Sequence, residues 1–196
     1  MSVNTDDLKK LREISGAGMM DCKKALTETK GDIDKAAENL RKKGLAKAGK
    51  RMDRETAVGR VVSYIHAGGS IGVLLQLNCE TDFVAKNDDF EALGKELCMQ
   101  IAAANPSALT PAELDADLIA KEEAIYREQL KKEGKPENII AKILPGKMDK
   151  FYADVCLLKQ AYIKEPKTTI EDLLKEYIAR FGENITVGRF SRFQVG

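Results

Sequence analysis

A chain of 196 residues, 43% hydrophobic and 32% charged, has room for one full domain and a small accessory module, in the balance of a water-soluble globular protein. A formal net charge of +1 supplies no overall attraction for a polyanion, so direct binding of nucleic acid is not expected. No run approaches the roughly 18 consecutive apolar residues of a membrane span, and the start, MSVNTDDLKK, carries no apolar secretion signal, so a cytoplasmic protein is expected.

The first segment predicts three short helices. Thr5 ahead of Asp6 and Asp7 is one start signal, Gly31 followed by Asp32 is a stop and a start, and Gly44 is the expected end of the third. Leu8 and Leu11, then Cys22, Ala25 and Leu26, then Ile33, Ala36, Ala37 and Leu40 make three apolar stripes at helical spacing. Residues 1–44 therefore form a small module, with a core too marginal to stand without a partner or the rest of the chain. Residues 45–56, LAKAGKRMDRET, are polar and mostly basic and suit an exposed linker.

Residues 57–196 read as the core domain. VVSYIHAGGSIGVLLQLN places two β-branched runs around a turn at Ala67–Ser70, the pattern of an antiparallel hairpin. Asn87 or Asp88 caps a helix to about Ala104 whose apolar residues Phe90, Leu93, Leu97 and Ile101 cover a sheet face, and Pro106 ends it. Helices over about 117–132 and 136–154, broken at Gly134 and Pro136, give a helical hairpin within 115–155 whose charged tip, KKEGKPEN, projects into solvent or faces another subunit. Thr168 and Glu171 have capping-box spacing before a further helix that stops at Gly182. ENITVGRFSRFQV is the third strand, with an alternation that slips at Gly188. The fold class is α+β: a three-helix module, then a three-stranded antiparallel sheet covered by helices, with a projecting helical hairpin.

Catalytic chemistry is hard to place. Cys22, Cys79, Cys98 and Cys156 stand singly with no CxxC pair and read as reduced core thiols, and the single histidine, His66, nearly excludes a structural zinc site or a catalytic set built on several histidines. No metal or cofactor is expected. The GAG at Gly16–Gly18 lacks the preceding strand of a dinucleotide site and reads as an interhelix turn. His66 sits beside the hairpin turn, where a partner contact is the livelier role. The loop CETDFVAKN differs: Phe83 next to Asp82 sets a large apolar group beside a fixed charge where loops are accessible, although inward packing of Phe83 is the commoner fate of an aromatic. Met19 and Met20 suit an adaptable contact surface, with one of the two expected in the core by spacing.

At these places the chain resembles the elongation factor Ts family. LREISGAGMMDCKKALTETKGDIDKAAENLRKKG is similar to the family's amino-terminal module, NCETDFVAKN to its core signature, and EGKPENIIAKILPGKMDKF with ITVGRFSRFQVG extend the resemblance over nearly the whole chain. The resemblance implies a guanine nucleotide exchange factor that binds elongation factor Tu·GDP and disturbs its Mg²⁺ and phosphate site, releasing GDP so that GTP can bind. It implies that Arg12, Met19 and Met20 touch the GTPase domain. It also implies that Thr81, Asp82, Phe83 and Val84 intrude near the magnesium, Asp82 and Phe83 foremost. Longer members carry a duplicated core half; this chain resembles the short form, so a homodimer giving a 2:2 complex is expected. The competing readings are an adaptor whose first module, similar in pattern to ubiquitin-associated domains, binds small proteins or peptides, and a hydrolase using Asp82 and Glu80 as acid and base.

Overall fold

The computed structural model describes residues 4–196. The elements run α1 (Thr5–Ser15), α2 (Met19–Glu28), α3 (Ile33–Gly49), β1 (Val58–Ile65), β2 (Ile71–Cys79), α4 (Asp82–Ala85), α5 (Asp88–Ala104), α6 (Ala116–Lys132), α7 (Glu137–Val155), β3 (Ala161–Tyr162), β4 (Glu165–Thr169), α8 (Ile170–Phe181) and β5 (Ile185–Gln194). This is the expected α+β class, with a three-stranded antiparallel sheet in the order β1-β2-β5 and a two-stranded pair, β3-β4. The chain divides into two compact units, one of Met1–Arg60, Leu77–Phe90 and Asp172–Thr186, the other of Val61–Gln76, Glu91–Glu171 and Val187–Gly196.

In the first unit α1–α3 close on a core of Leu11, Cys22, Ala25, Leu26, Ala36 and Leu40, with Leu8, Ala17, Ile33 and Ala37 at its margin. These are the predicted stripes. The first cap lies one residue earlier than expected: Asn4 Oδ1 accepts the N–H of Asp6 at 3.1 Å, so Thr5 is already helical. Asp32 caps α3 as read, accepting the N–H of Lys35 at 3.0 Å. The expected stop at Gly44 is wrong, because α3 continues to Gly49. Ala36, Leu40, Gly44 and Ala48 recur every four residues on one face, and a Cβ at Gly44 would stand 3.1 Å from Cβ of Ala179 in α8. That glycine is the place where two helices touch, not a terminator. α8 also holds α3 through Arg41, whose guanidinium lies 2.7 Å from Glu176, so the small module leans on a later part of the chain.

In the second unit α5 lies on the inner side of β1, with the Cys98 thiol turned to the Val62 carbonyl at 3.7 Å and Leu93, Leu97 and Ile101 fully buried. The hairpin turns as predicted. His66 and Ile71 are joined at 2.9 Å, and Gly68 and Gly69 take φ of 89° and 73°, a conformation that a Cβ would oppose. α6 and α7 pack through Leu130, Ile140, Leu144 and Met148, and Arg127 bridges Glu123 and Glu137 at 3.2 and 2.6 Å. α7 continues through Pro145 to Val155. In β5 the more buried parity passes from Ile185 and Val187 to Phe190 and Arg192, with Gly188 and Arg189 both exposed, which is the slip seen in the sequence.

The capping-box expectation fails by one residue. Thr168 is buried within β4, helix α8 begins only at Ile170, and Glu171 is bound to Lys159 at 2.9 Å. The β3-β4 pair had no sequence signal, being short and interrupted by Pro166. Two buried glutamines anchor it. Gln100 donates to Gln160 Oε1 at 3.1 Å and to the Ala161 carbonyl at 3.2 Å, and accepts the Ile163 N–H at 2.9 Å.

All four cysteines are buried and unpaired, and burial pushes the Cys98 thiol up to about 12 from 9.0. Burial also raises Cys79 and Cys156. None should react with a thiol reagent in the native protein, while the unfolded chain exposes all of them. Above pH 9.0 an unfolded chain releases the Cys98 proton and the folded one keeps it. The contribution of this burial is therefore intact below that pH and is lost as pH climbs toward about 12. Unfolding midpoints measured across that window check the sign.

Candidate functional site

The TDFVAKN loop opens where β2 ends. Thr81 is extended (φ −128°) at the N-terminus of α4, and the single turn Asp82–Ala85 divides its side chains between two directions. Val84 and Ala85 are buried and seat the turn. Phe83 is 84% exposed, the largest exposure of any large apolar side chain among the described residues. The inward packing that is commoner for an aromatic does not occur. Val84, expected beside it at the partner, faces the interior instead.

Asp82 is exposed and paired with Lys86 at 2.7 Å, one helical turn on. That hydrogen bond holds its carboxyl below the usual carboxylate range, so it is ionised at neutral pH. A hydrolytic acid and base pair of Asp82 and Glu80 is not supported by this arrangement: Asp82 has no raised affinity for a proton, and Glu80 accepts the backbone N–H of Asn184 at 2.6 Å and faces Arg54 at 3.4 Å.

The turn is braced from the end of α8. Thr81 donates its N–H to Glu183 Oε2 at 3.0 Å and its hydroxyl to Glu183 Oε1 at 2.6 Å. Glu80 returns the favour by holding Asn184. Asn184 itself is 1% exposed and its amide donates to the carbonyls of Met52 and Arg54 at 3.0 and 2.7 Å. A two-oxygen carboxylate clamp on adjacent donors fixes both position and direction. Sequence reasoning missed Glu183 and Asn184 and weighed Glu80 only as half of an acid and base pair, because a carboxylate next to a helix stop looks like any surface charge until its distant partner is known.

Arg12 is exposed near the end of α1, and across the turn Gly16–Gly18 both Met19 and Met20 are exposed, at 44% and 74%. The expectation that one methionine enters the core is wrong. Cys22, Ala25 and Leu26 already fill α2's inner face, and Ala17 packs at the margin of the same core. Ile14 is a further exposed apolar residue here. Arg12, Met19, Met20 and Thr81–Val84 all belong to the first unit, and His66 to the second. His66 is exposed and joined through Nδ1 to the Tyr64 hydroxyl at 3.0 Å.

No group of three or more metal-ligating side chains exists among the described residues, and no helix in them is long and apolar enough to cross a membrane. The loop thus presents an outward aromatic beside an ionised carboxylate on a turn hydrogen-bonded to Glu183. The chain belongs to the elongation factor Ts family: the family model for elongation factor TS matches residues 2–196. It is 57% identical to elongation factor Ts of Leptospira biflexa over 100% of this chain and 99% of the relative. It is 55% identical to that of Fervidobacterium nodosum over the full length of both, and 52% identical to that of Geobacter sulfurreducens over 100% of this chain and 91% of the relative. Membership makes it an elongation factor of protein biosynthesis and an exchange factor. A match along the whole chain leaves no support for an adaptor built on its first module alone.

Proposed function

We propose that this protein binds elongation factor Tu·GDP and releases the nucleotide by pressing the Asp82–Phe83 turn against the Mg²⁺ and phosphate site of its partner. Support comes chiefly from one observation: Phe83 is exposed on a turn that is anchored by two hydrogen bonds Thr81 donates to the Glu183 carboxylate. A nucleotide bound at nanomolar affinity is held by about 12 kcal/mol, much of it through the metal and the phosphate donors, so disturbing that one region loosens the whole ligand. Phe83 supplies the wedge and Asp82 a negative charge where the metal's anionic ligands lie. Thr81 holds the turn from behind. Arg12, Met19 and Met20 dock the three-helix module α1–α3, similar to ubiquitin-associated domains, on the GTPase domain.

Linkage makes the effect reciprocal: whatever factor by which the protein weakens GDP, GDP weakens the protein, and incoming GTP then ejects it. No covalent bond is made or broken, and no cofactor takes part. The work is cytoplasmic, with neither membrane nor nucleic acid bound. GDP-loaded elongation factor Tu carrying a fluorescent nucleotide should release it far faster in the presence of this protein, and release at the unassisted rate would refute the proposal.

The protein acts as a homodimer in a 2:2 complex. In the second unit the outer side of the strands presents Val61 (72% exposed) and Ile65 on β1, Leu74 on β2 and Phe193 (67%) on β5, while Val62, Val73 and Leu75 face inward. An apolar sheet face of this kind is suited to cover its own copy. Sedimentation at micromolar concentration should give twice the 21.6 kDa chain mass, and Val61→Asp with Phe193→Asp should give the chain mass. A fully active wild-type monomer at that concentration would contradict the dimer.

A further inference from the structure

The groups assigned to the partner come from two separate segments of the first unit, Met19–Met20 and Asp82–Phe83. A factor that docks with one and presses with the other is only as effective as the link between them. One short stretch, the last turn of α8 and the residues just after it, makes that link. The aliphatic stem of Arg180 lies over Gly16, where a Cβ would stand 3.0 Å from Arg180 Cγ, and Gly16 opens the turn that leads to Met19. The Arg180 guanidinium meets Asp89 at 2.6 Å, on the segment that follows Phe83. Three residues later Glu183 takes both donors of Thr81, immediately ahead of Asp82. Phe181, between them, packs edge-on against Phe90 with centroids 6.3 Å apart. The turn that leads to the methionines and both sides of the turn carrying Phe83 are thus tied to the same few residues.

We propose that Arg180 and Glu183 are positioning residues for nucleotide exchange: they fix the separation of the docking methionines and the aromatic wedge, so that docking energy is delivered as pressure on the partner. This rests on the exchange reading above. Binding energy from a remote contact speeds a process only when it is expressed in the altered state and not equally in the ground state. With a loose link, the methionines stay bound while the wedge recoils. Loosening the link therefore lowers the maximal rate of GDP release more than it lowers affinity.

The test measures GDP release from GDP-loaded elongation factor Tu against concentration of the factor, with rates expressed per folded molecule from circular dichroism at the assay temperature. Glu183→Ala and Thr81→Val should each lower the maximal rate about tenfold, with the half-saturating concentration changed less than about threefold. Thr81→Ser keeps the hydroxyl donor to Glu183 and should restore the wild-type maximum, a rescue that mere bulk at this position would not give. Arg180→Ala should fall in the same direction. A wild-type maximal rate in Glu183→Ala and Thr81→Val, or a raised half-saturation with the maximum retained, overturns the positioning role. Failure of the wild-type factor to accelerate release at all would overturn the exchange reading instead.

Discussion

Phe83→Ala is expected to leave the protein folded and able to bind, while slowing GDP release at saturating factor by about 30-fold. The side chain is 84% exposed, so its truncation removes almost no native packing and should change stability by less than about 0.5 kcal/mol. Its effect lies in the complex. A well-seated aromatic contact contributes about 2 kcal/mol or more to the state in which it is buried, and that state is the one with loosened nucleotide. Stopped-flow release of a fluorescent GDP, with melting curves for both proteins, reads the two halves of the expectation. An unchanged rate with an unchanged melting curve would mean that the wedge does nothing.

Gly59→Ala should be the most damaging small substitution in the hairpin. A Cβ at this position of β1 would fall on the Leu77 carbonyl oxygen and 2.8 Å from Cα of Asn78, both of them backbone of the neighbouring strand. Backbone in a sheet cannot swing aside as a side-chain tip can. The strands must part, at a cost of about 3 kcal/mol, against a total stability of roughly 5–15 kcal/mol. For a chain of this length the melting temperature should fall by about 6 to 12 °C. Because Leu77 and Asn78 lead directly to Glu80 and Thr81, the exchange activity of the surviving folded fraction should fall as well. A melting temperature within a degree of wild type would show that the strands yield more easily than their geometry implies.

What the sequence reveals here follows from the range of the forces involved. Apolar periodicity is local, so the stripes of α2, α3 and α5 and the two runs around Gly68 and Gly69 were legible without coordinates. Gly44 was misread because a glycine marks a helix end and a close helix contact equally well, and only the position of Ala179 separates the two. Thr168 and Glu171 imitate a capping box, yet Thr168 is drawn into β4, a strand too short to declare itself. Met19 and Met20 sit where helical spacing points one of them inward, but the small residues Ala17 and Cys22 close the core before either is needed.

The candidate site was legible in its exposed half and hidden in its support. Asp82 and Phe83 announce themselves as a charge and an aromatic in a loop. Glu183 and Asn184 lie about a hundred residues further on in the chain, and their hydrogen bonds to the loop have no sequence period to betray them.

The measurement closest to the heart of the matter is the Mg²⁺ dependence of GDP release from elongation factor Tu at saturating factor. If the Asp82–Phe83 turn works by disturbing the metal and phosphate site, the acceleration should be large with Mg²⁺ bound and should shrink to a small fraction once the metal is chelated. The same fold-acceleration with and without Mg²⁺ would contradict that mode of action.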